Sequence, residues 1–279
     1  MNILITGCNG FLAQELIKYF SNDHNVIKTD RNTLDPTNYE NVKWFFDVYA
    51  IDIVIHTAIK GGKRNDVQDV NNFFINTQMF NNLSLFSNKY KMMFNFGSGA
   101  EFDRELDIDC LLEEQINTRY PKDYYGLAKN LISKKINAIN SNIYNLRLFG
   151  CFGEFEQPQR LIRATYHNFK NNKDATIFQD KKMDYFYAQD VARVIDFYIK
   201  NNNLKLPKDL NLCYKTKYKL SDIANIVKNL TNTNQSVTIE NNNLSHSYTG
   251  DSERLNSLQI KLIGIEKGIN ECLTSWNKF

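Results

Sequence analysis

Residues 2–20 read NILITGCNGFLAQELIKYF, and the change of rhythm inside this stretch decides the fold. NILIT at 2–6 is an unbroken apolar run of strand length, whereas FLAQELIKYF at 11–20 repeats its apolar residues with a helical period. Between them stand Gly7, Cys8, Asn9 and Gly10, with Ala13 in the first turn of the helix. A turn of this kind brings backbone amides and a helix N-terminus close to a pyrophosphate. Gly7 permits the turn, Gly10 removes a side chain that would block the phosphate, and Ala13 lets helix and strand pack closely. Two glycines alone would mean only a tight turn; placed between strand and helix they predict a dinucleotide site.

The same alternation continues along the chain. Strands are expected at 25–29, 51–58, 91–96 and 142–149, and helices at 41–49, about 67–87 and about 123–139, with an irregular polar stretch before residue 120. IDIVIHTA at 51–58 is apolar almost throughout, as in a parallel strand buried on both faces. The expected architecture is α/β, a Rossmann-type doubly wound parallel sheet with a smaller C-terminal substrate-binding lobe. Residues 1–155 form the NAD(P)-binding domain in this reading, with the sheet completed by segments at about 180–215. Residues 156–279 are mostly lobe, with helices near 158–170, 188–200 and 221–230 and strands at 175–178, 209–214 and 236–240. Ser221 is the expected N-cap of the helix it opens, and an amphipathic last helix turns Trp276 inward.

Composition removes several classes of function. Of 279 residues, 42% are apolar and 23% charged, which is globular rather than disordered. The net charge of +3 comes from mixed signs, without the concentrated basic face of a nucleic-acid binder. No secretory leader opens the chain and no apolar run spans a bilayer, so a cytoplasmic protein is expected. Cys8, Cys110, Cys151, Cys213 and Cys272 are scattered without CxxC spacing and are read as reduced and structural; no metal site is expected. His24, His167 and His246 likewise lack the spacing of ligands.

Three further positions carry chemistry. The second strand ends in Asp30-Arg31; an acid there bonds the adenosine ribose hydroxyls and a base neutralises a 2′-phosphate, so NAD(H) and NADP(H) both remain open. In PKDYYGLAKN, Tyr125 and Lys129 lie four apart on one helix face, where an ammonium can favour a tyrosinate and make the phenol a working acid. Alone, the pair would equally describe a packed tyrosine and a solvated lysine. Ser98 follows the strand ending at Phe96, at the carboxyl edge where open parallel sheets bind ligands, and its hydroxyl could hold a substrate oxygen.

Together these motifs resemble the extended short-chain dehydrogenase/reductase family, in its NAD-dependent epimerase/dehydratase branch of sugar nucleotide reductases and epimerases. The resemblance runs through TGCNGF at 6–11, IDIVIHTA at 51–58, Asn76, FNFGSGAEF at 94–102, YYGLAK at 124–129, NLRLFGCFG at 145–153 and MDYFYAQDVA at 183–192. It implies Ser98, Tyr125 and Lys129 as the catalytic triad. It also implies a cofactor site of Gly7, Asn9, Gly10, Phe11, Leu12, Asp30, Arg31, His56, Thr57, Ala58 and Asn76, joined by Tyr125 and Lys129. Arg147 would support the strand beside the site. For substrate it points to Gly99, Ala100, Arg160, Arg163, Tyr248 and Arg254. Lys60, Lys63 and Arg64 follow the third strand, where they could approach substrate phosphates or simply form a solvated loop. Met183 replaces an arginine common in relatives, leaving Arg160, Arg163 or Lys182 to face the diphosphate. Ala100 and Arg160 stand where bifunctional relatives carry an epimerising Cys and His, and neither shuttles protons near neutral pH.

The favoured reading is reduction of the 4-keto group of a nucleotide-activated, 6-deoxy or related, ketosugar. Arg31 tips the cofactor toward NADP(H). Partners are a nucleotide-diphosphate sugar and a second copy of the chain, packed through the helices near 67–87 and 123–139. A 4-epimerase retaining NAD is the main alternative; a dehydratase or a non-catalytic dinucleotide-binding regulator ranks below it.

Overall fold

The computed structural model describes residues 1–62 and 69–278. In chain order the first half runs β1 (Asn2–Thr6), α1 (Phe11–Phe20), β2 (Asn25–Thr29), α2 (Tyr39–Val48), β3 (Ile53–His56), α3 (Val70–Ser84), β4 (Met92–Ser98), β5 (Ile108–Leu111), α4 (Tyr124–Ala138) and β6 (Ile143–Leu148). The second runs β7 (Cys151–Phe152), α5 (Leu161–Lys170), β8 (Ala175–Gln179), β9 (Phe186–Tyr187), α6 (Ala188–Lys200), β10 (Asp209–Leu212), α7 (Leu220–Thr231), β11 (Val237–Asn241), β12 (Tyr248–Gly250), α8 (Glu253–Ser257) and α9 (Ile265–Trp276).

Six parallel strands in the order β2-β1-β3-β4-β6-β10 make the main sheet. From β1 the chain winds outward to β2 and then returns to lay β3 on the other side, which opens a crevice at the carboxyl ends of β1 and β3. Alternation along β1 feeds two cores. Ile3 and Ile5 pack with Ala13, Leu16 and Phe20 of α1 and with Val191 and Ile195 of α6. Leu4 turns the other way, to Val42 and Phe45 of α2, Phe80 of α3 and Ile132 of α4. The result is a doubly wound α/β sheet with a C-terminal lobe. In the lobe Ile162, Tyr166, Ile223, Val227, Ile269 and Trp276 join α5, α7 and α9 in a third core, and β8 pairs with β11. Segments after residue 155 also return to the main body: α6 covers one sheet face and β10 supplies the sixth strand.

Two local expectations are corrected. The polar stretch before residue 120 contains β5 and two short 3-10 turns, Gly99–Phe102 and Glu113–Thr118, and β5 pairs with β12 from far along the chain. Ser221 does not cap α7. The Asp222 carboxylate accepts from the Lys219 amide at 2.8 Å, whereas Ser221 donates its amide and hydroxyl to Asp180, tying the helix start to the end of β8. Among the described residues no helix is long and apolar enough to cross a membrane, and no cluster of His, Cys, Asp or Glu could hold a metal.

Candidate active site

The crevice begins at Gly7. Its φ of +68° is a left-handed conformation that side chains disfavour, and a Cβ there would lie 2.8 Å from the Ala58 Cα. Gly10 closes the turn, donating its amide to the Gly7 carbonyl at 2.9 Å. It also occupies the N-cap position of α1, with no side-chain hydrogen bond capping that helix. Gly7, Gly10, Asp30, Arg31, Thr57 and Ala58 are among the residues that line a cavity of about 430 Å³. This glycine cradle, which added Cβ atoms would crowd, fits a dinucleotide.

The other residues expected around the cofactor divide by position. Arg31 is largely exposed at the rim, 3.2 Å from Asp35. Asp30 Oδ1 accepts from the Thr33 amide and hydroxyl and from the Asn32 amide, bonds that hold its pKa below the usual carboxylate range. His56 is buried and does not line the cavity: its Nδ1 pairs with the Thr6 hydroxyl at 2.9 Å. Asn76 acts at one remove, accepting from the Lys60 amide and donating to the Lys60 carbonyl at 3.0 and 2.8 Å, which fixes the loop after β3. Asn9 is exposed at the crest of the turn, Phe11 lies beneath the Arg160 guanidinium at 5.7 Å, and Leu12 packs against the core.

A second cavity of about 850 Å³ opens beside Ser98, bounded by Gly62, Arg104, Arg160, Lys181, Met183 and Tyr248 among others. Tyr125 stands at its edge, because Gly62 (φ +105°) lies on the phenol: a Cβ there would be 3.0 Å from Tyr125 Cε2. Helix α4 presents Tyr125 and Lys129 on one face. Asp123 caps the helix by accepting from the Gly126 amide at 2.8 Å and binds Arg104 at 2.6 Å; the Arg104 guanidinium lies 5.6 Å from the Tyr125 ring centre. Lys129 donates to the Phe96 carbonyl at 2.7 Å, with its ammonium 6.0 Å from the same ring centre. Burial brings the Lys129 pKa down to about 8, while burial and then Tyr248 push the Tyr125 phenol well above its usual value. Ser98 Oγ accepts from the Ala100 amide at 3.2 Å and lies 3.4 Å from the Tyr248 hydroxyl.

Ser98 is held from below. Its amide donates to Glu101 Oε1 at 2.9 Å, and Arg147 Nε donates to Glu101 Oε2 at 2.6 Å. Arg147, wholly buried on β6, reaches on to Asp209 at 2.7 Å, to Asn211 at 2.8 Å and to Ser133 at 3.1 Å. One guanidinium thus joins β6, β10, α4 and the turn that carries Ser98.

Several expected substrate contacts lie elsewhere. Lys60 lines the dinucleotide crevice instead of the larger cavity, and Lys63 and Arg64 lie outside the described residues. Gly99 and Ala100 are buried beneath the site. Arg163 faces Trp276, and Arg254 is engaged by Glu113, Glu114 and the Asp209 carbonyl, so neither lines the cavity. Of the candidates to replace the arginine at Met183, Arg160 lines the cavity, whereas Lys182 pairs with Asp109. Sequence reasoning missed Arg104, Lys181 and Gly62. The Gly61-Gly62 pair was a readable sign of close backbone approach; Arg104 and Lys181 carried no motif.

A doubly wound sheet with a glycine cradle at its switch point, opening beside a phenol and a serine hydroxyl, is the framework of an NAD(P)-dependent oxidoreductase or epimerase. Residues 3–213 match the NAD dependent epimerase/dehydratase family, and the chain belongs to that family. No curated protein sequence matches. Among solved structures it is similar to a GDP-mannoheptose C4 reductase from Campylobacter jejuni with NADP bound, at 20% identity and TM-score 0.84 over 100% of this chain and 98% of the other. It is also similar to a dTDP-4-dehydrorhamnose reductase from Clostridium acetobutylicum (21%, 0.80, 99% and 100%) and a UDP-glucose 4-epimerase from Thermotoga maritima (18%, 0.80, 100% and 99%). At these identities the likeness establishes the fold.

Proposed function

We propose that the protein is an NADP(H)-dependent reductase of the 4-keto group of a nucleotide-activated sugar. The observation that carries this reading is the larger cavity, lined by Ser98 and by Gly62, which lies on the Tyr125 ring, with Lys129 on the same helix face as Tyr125 and a separate glycine cradle at the end of β1. The cradle of Gly7 and Gly10, with Thr57 and Ala58 along the wall, would hold the dinucleotide, and Arg31 at the rim suits a 2′-phosphate. Bound there, the reduced dinucleotide supplies a hydride. Tyr125 donates its proton to the oxygen of the ketone as it becomes an alkoxide, and Ser98 holds the same oxygen. Lys129 carries positive charge near the phenol and so favours the tyrosinate left behind.

A bifunctional epimerase and reductase is disfavoured at residue 100. Ala100, at the position of the epimerising cysteine in bifunctional relatives, is buried and has no proton to move. The NADP-bound heptose reductase among the similar structures supports both cofactor and reaction, and widens the sugar class from 6-deoxyhexoses to heptoses. Arg160 and Lys181 offer cations for the diphosphate. We further propose a homodimer formed through α3 and α4, where Val70, Phe74 and Leu131 are exposed.

The test is a panel of nucleotide-diphosphate 4-ketosugars with NADPH or NADH, followed by nicotinamide absorbance and product NMR. Oxidation of NADPH matched by a 4-hydroxy product supports the reading. Interconversion of 4-epimers without added NADPH would replace it with the epimerase.

A further inference from the structure

The turn that follows Ser98 and the start of α4, which carries Tyr125, pack against each other beside the larger cavity. A Cβ on Gly126 would lie 2.6 Å from the Ala100 carbonyl oxygen, and one helical turn further on Asn130 donates to the Glu101 carbonyl at 2.8 Å. In the cavity wall a charged pair adds to this contact. Asp103 closes the turn at φ +70°, a left-handed conformation uncommon outside glycine, and Arg104 follows it directly. The Arg104 guanidinium meets Asp123 through two nitrogens, Nη2 to Oδ1 at 2.6 Å and Nε to Oδ2 at 3.3 Å. Asp123 Oδ1 also accepts from the Gly126 amide at 2.8 Å, so one carboxylate both caps α4 and holds the arginine. The two side chains are 23% and 16% exposed, and both line the cavity. Tyr125 lies in the sequence between Asp123 and Gly126, its ring centre 5.6 Å from the guanidinium.

We propose that Arg104 is a positioning residue of the reaction: paired with Asp123, it locks the start of α4 to the serine-bearing turn and so fixes Tyr125 relative to Ser98. The proposal rests on the reductase reading. In that reaction the phenol and the serine hydroxyl must converge on one ketone oxygen, and a displacement of about 1 Å in such a geometry costs about 10²-fold in rate. Gly126 and Asn130 fasten the helix after Tyr125; the Arg104–Asp123 pair fastens it before. A planar guanidinium that meets both oxygens of a carboxylate sets direction as well as distance, which a single point charge does not. The same two segments also carry a second ion pair, Lys122 with Glu105 at 2.7 Å, whose side chains are 72% and 63% exposed. Water screens that pair, so it constrains the helix little and serves as an internal control.

Arg104→Met removes the charge and the two donors. Asp123→Asn keeps an oxygen for the Gly126 amide and removes the charge. Urea unfolding and NADPH titration establish that each variant is folded and binds dinucleotide. With a 4-ketosugar nucleotide that the unsubstituted protein reduces, the single-turnover rate of NADPH oxidation is expected to fall by about 10- to 100-fold in either variant, and KM for the sugar to stay within about threefold. The double variant is expected to be no slower than the slower single one, because the two residues act as a unit. Lys122→Ala is expected to keep the rate within about twofold. An unchanged rate, a loss confined to KM, losses that multiply in the double variant, or an equal loss in Lys122→Ala overturns the positioning role while the reductase reading stands. If Arg104→Met does not fold, Asp123→Asn decides by the same split between rate and KM. If the unsubstituted protein reduces no member of the panel, the reductase reading fails, and the positioning role falls with it.

Discussion

The proposed role of Tyr125 as proton donor rests on its neighbours. Burial and Tyr248 keep it protonated at rest, and Lys129, 6.0 Å from its ring centre, supplies the charge that can receive a tyrosinate. Tyr125→Phe is therefore expected to lower kcat by about 10²- to 10⁴-fold while NADPH titration by fluorescence stays within about twofold of the parent. Loss of binding to the same extent as turnover would contradict the assignment. His56 gives a prediction about stability. Burial first, and the Lys129 charge second, bring its pKa from the ordinary 6.5 to about 3. Between those values the unfolded chain takes up a proton that the folded chain refuses, so this position makes stability fall as pH drops through the window. His56→Gln should flatten the dependence of Tm on pH between about 6.5 and 4; parallel curves for the two proteins would show that the imidazole does not titrate as described.

The turn from β1 to α1 and the strand β6 carry the site in different ways. In Gly7→Ala, a Cβ would meet the Ala58 backbone in a left-handed conformation, so dinucleotide binding should be lost and stability should fall by about 1–3 kcal/mol. Calorimetric titration with NADPH and urea unfolding check both. Arg147→Met would leave Glu101 and Asp209 buried without the cation between them, a change expected to cost about 3–5 kcal/mol in urea unfolding. The first feature was legible in the sequence, because Gly7 and Gly10 mark a turn by spacing alone and the helical period of residues 11–20 is local. Helix α6 was equally legible at 188–200. The Arg147 network was not: Glu101, Arg147 and Asp209 are 46 and 62 residues apart, and only the pairing of β4, β6 and β10 brings them together. The short strands β5 and β12 escaped for the same reason, since their partners are remote and their runs are too brief for periodicity to show.

Considered as one body, the chain places its candidate site where the sheet and the lobe segments meet. Residues near the N-terminus hold the crevice, the middle supplies Ser98 and Tyr125, and Tyr248 closes the arrangement from the C-terminal part. The doubly wound architecture and the use of segments at about 180–215 to complete the sheet were read from the sequence, but the order of the strands, with residues 209–212 at the edge, comes only from their pairing. Surface arginines were the least legible: Arg163 and Arg254 resembled substrate ligands, yet Trp276 and the acids Glu113 and Glu114 engage them. The exposed side chains of α3 and α4 carry the prediction about assembly. With Phe74 58% and Leu131 43% exposed, the double substitution Phe74→Glu, Leu131→Glu should convert a dimer to a monomer in light scattering after gel filtration; an unchanged mass would place any interface elsewhere.

The decisive measurement is transfer of label from NADPH deuterated stereospecifically at the nicotinamide C4 to a nucleotide-diphosphate 4-ketosugar, read by NMR of the product. The expected result is one deuterium at the sugar C4 for each NADPH oxidised, abolished in Tyr125→Phe. Label appearing at any other carbon, or epimeric product formed with no NADPH consumed, would contradict the account.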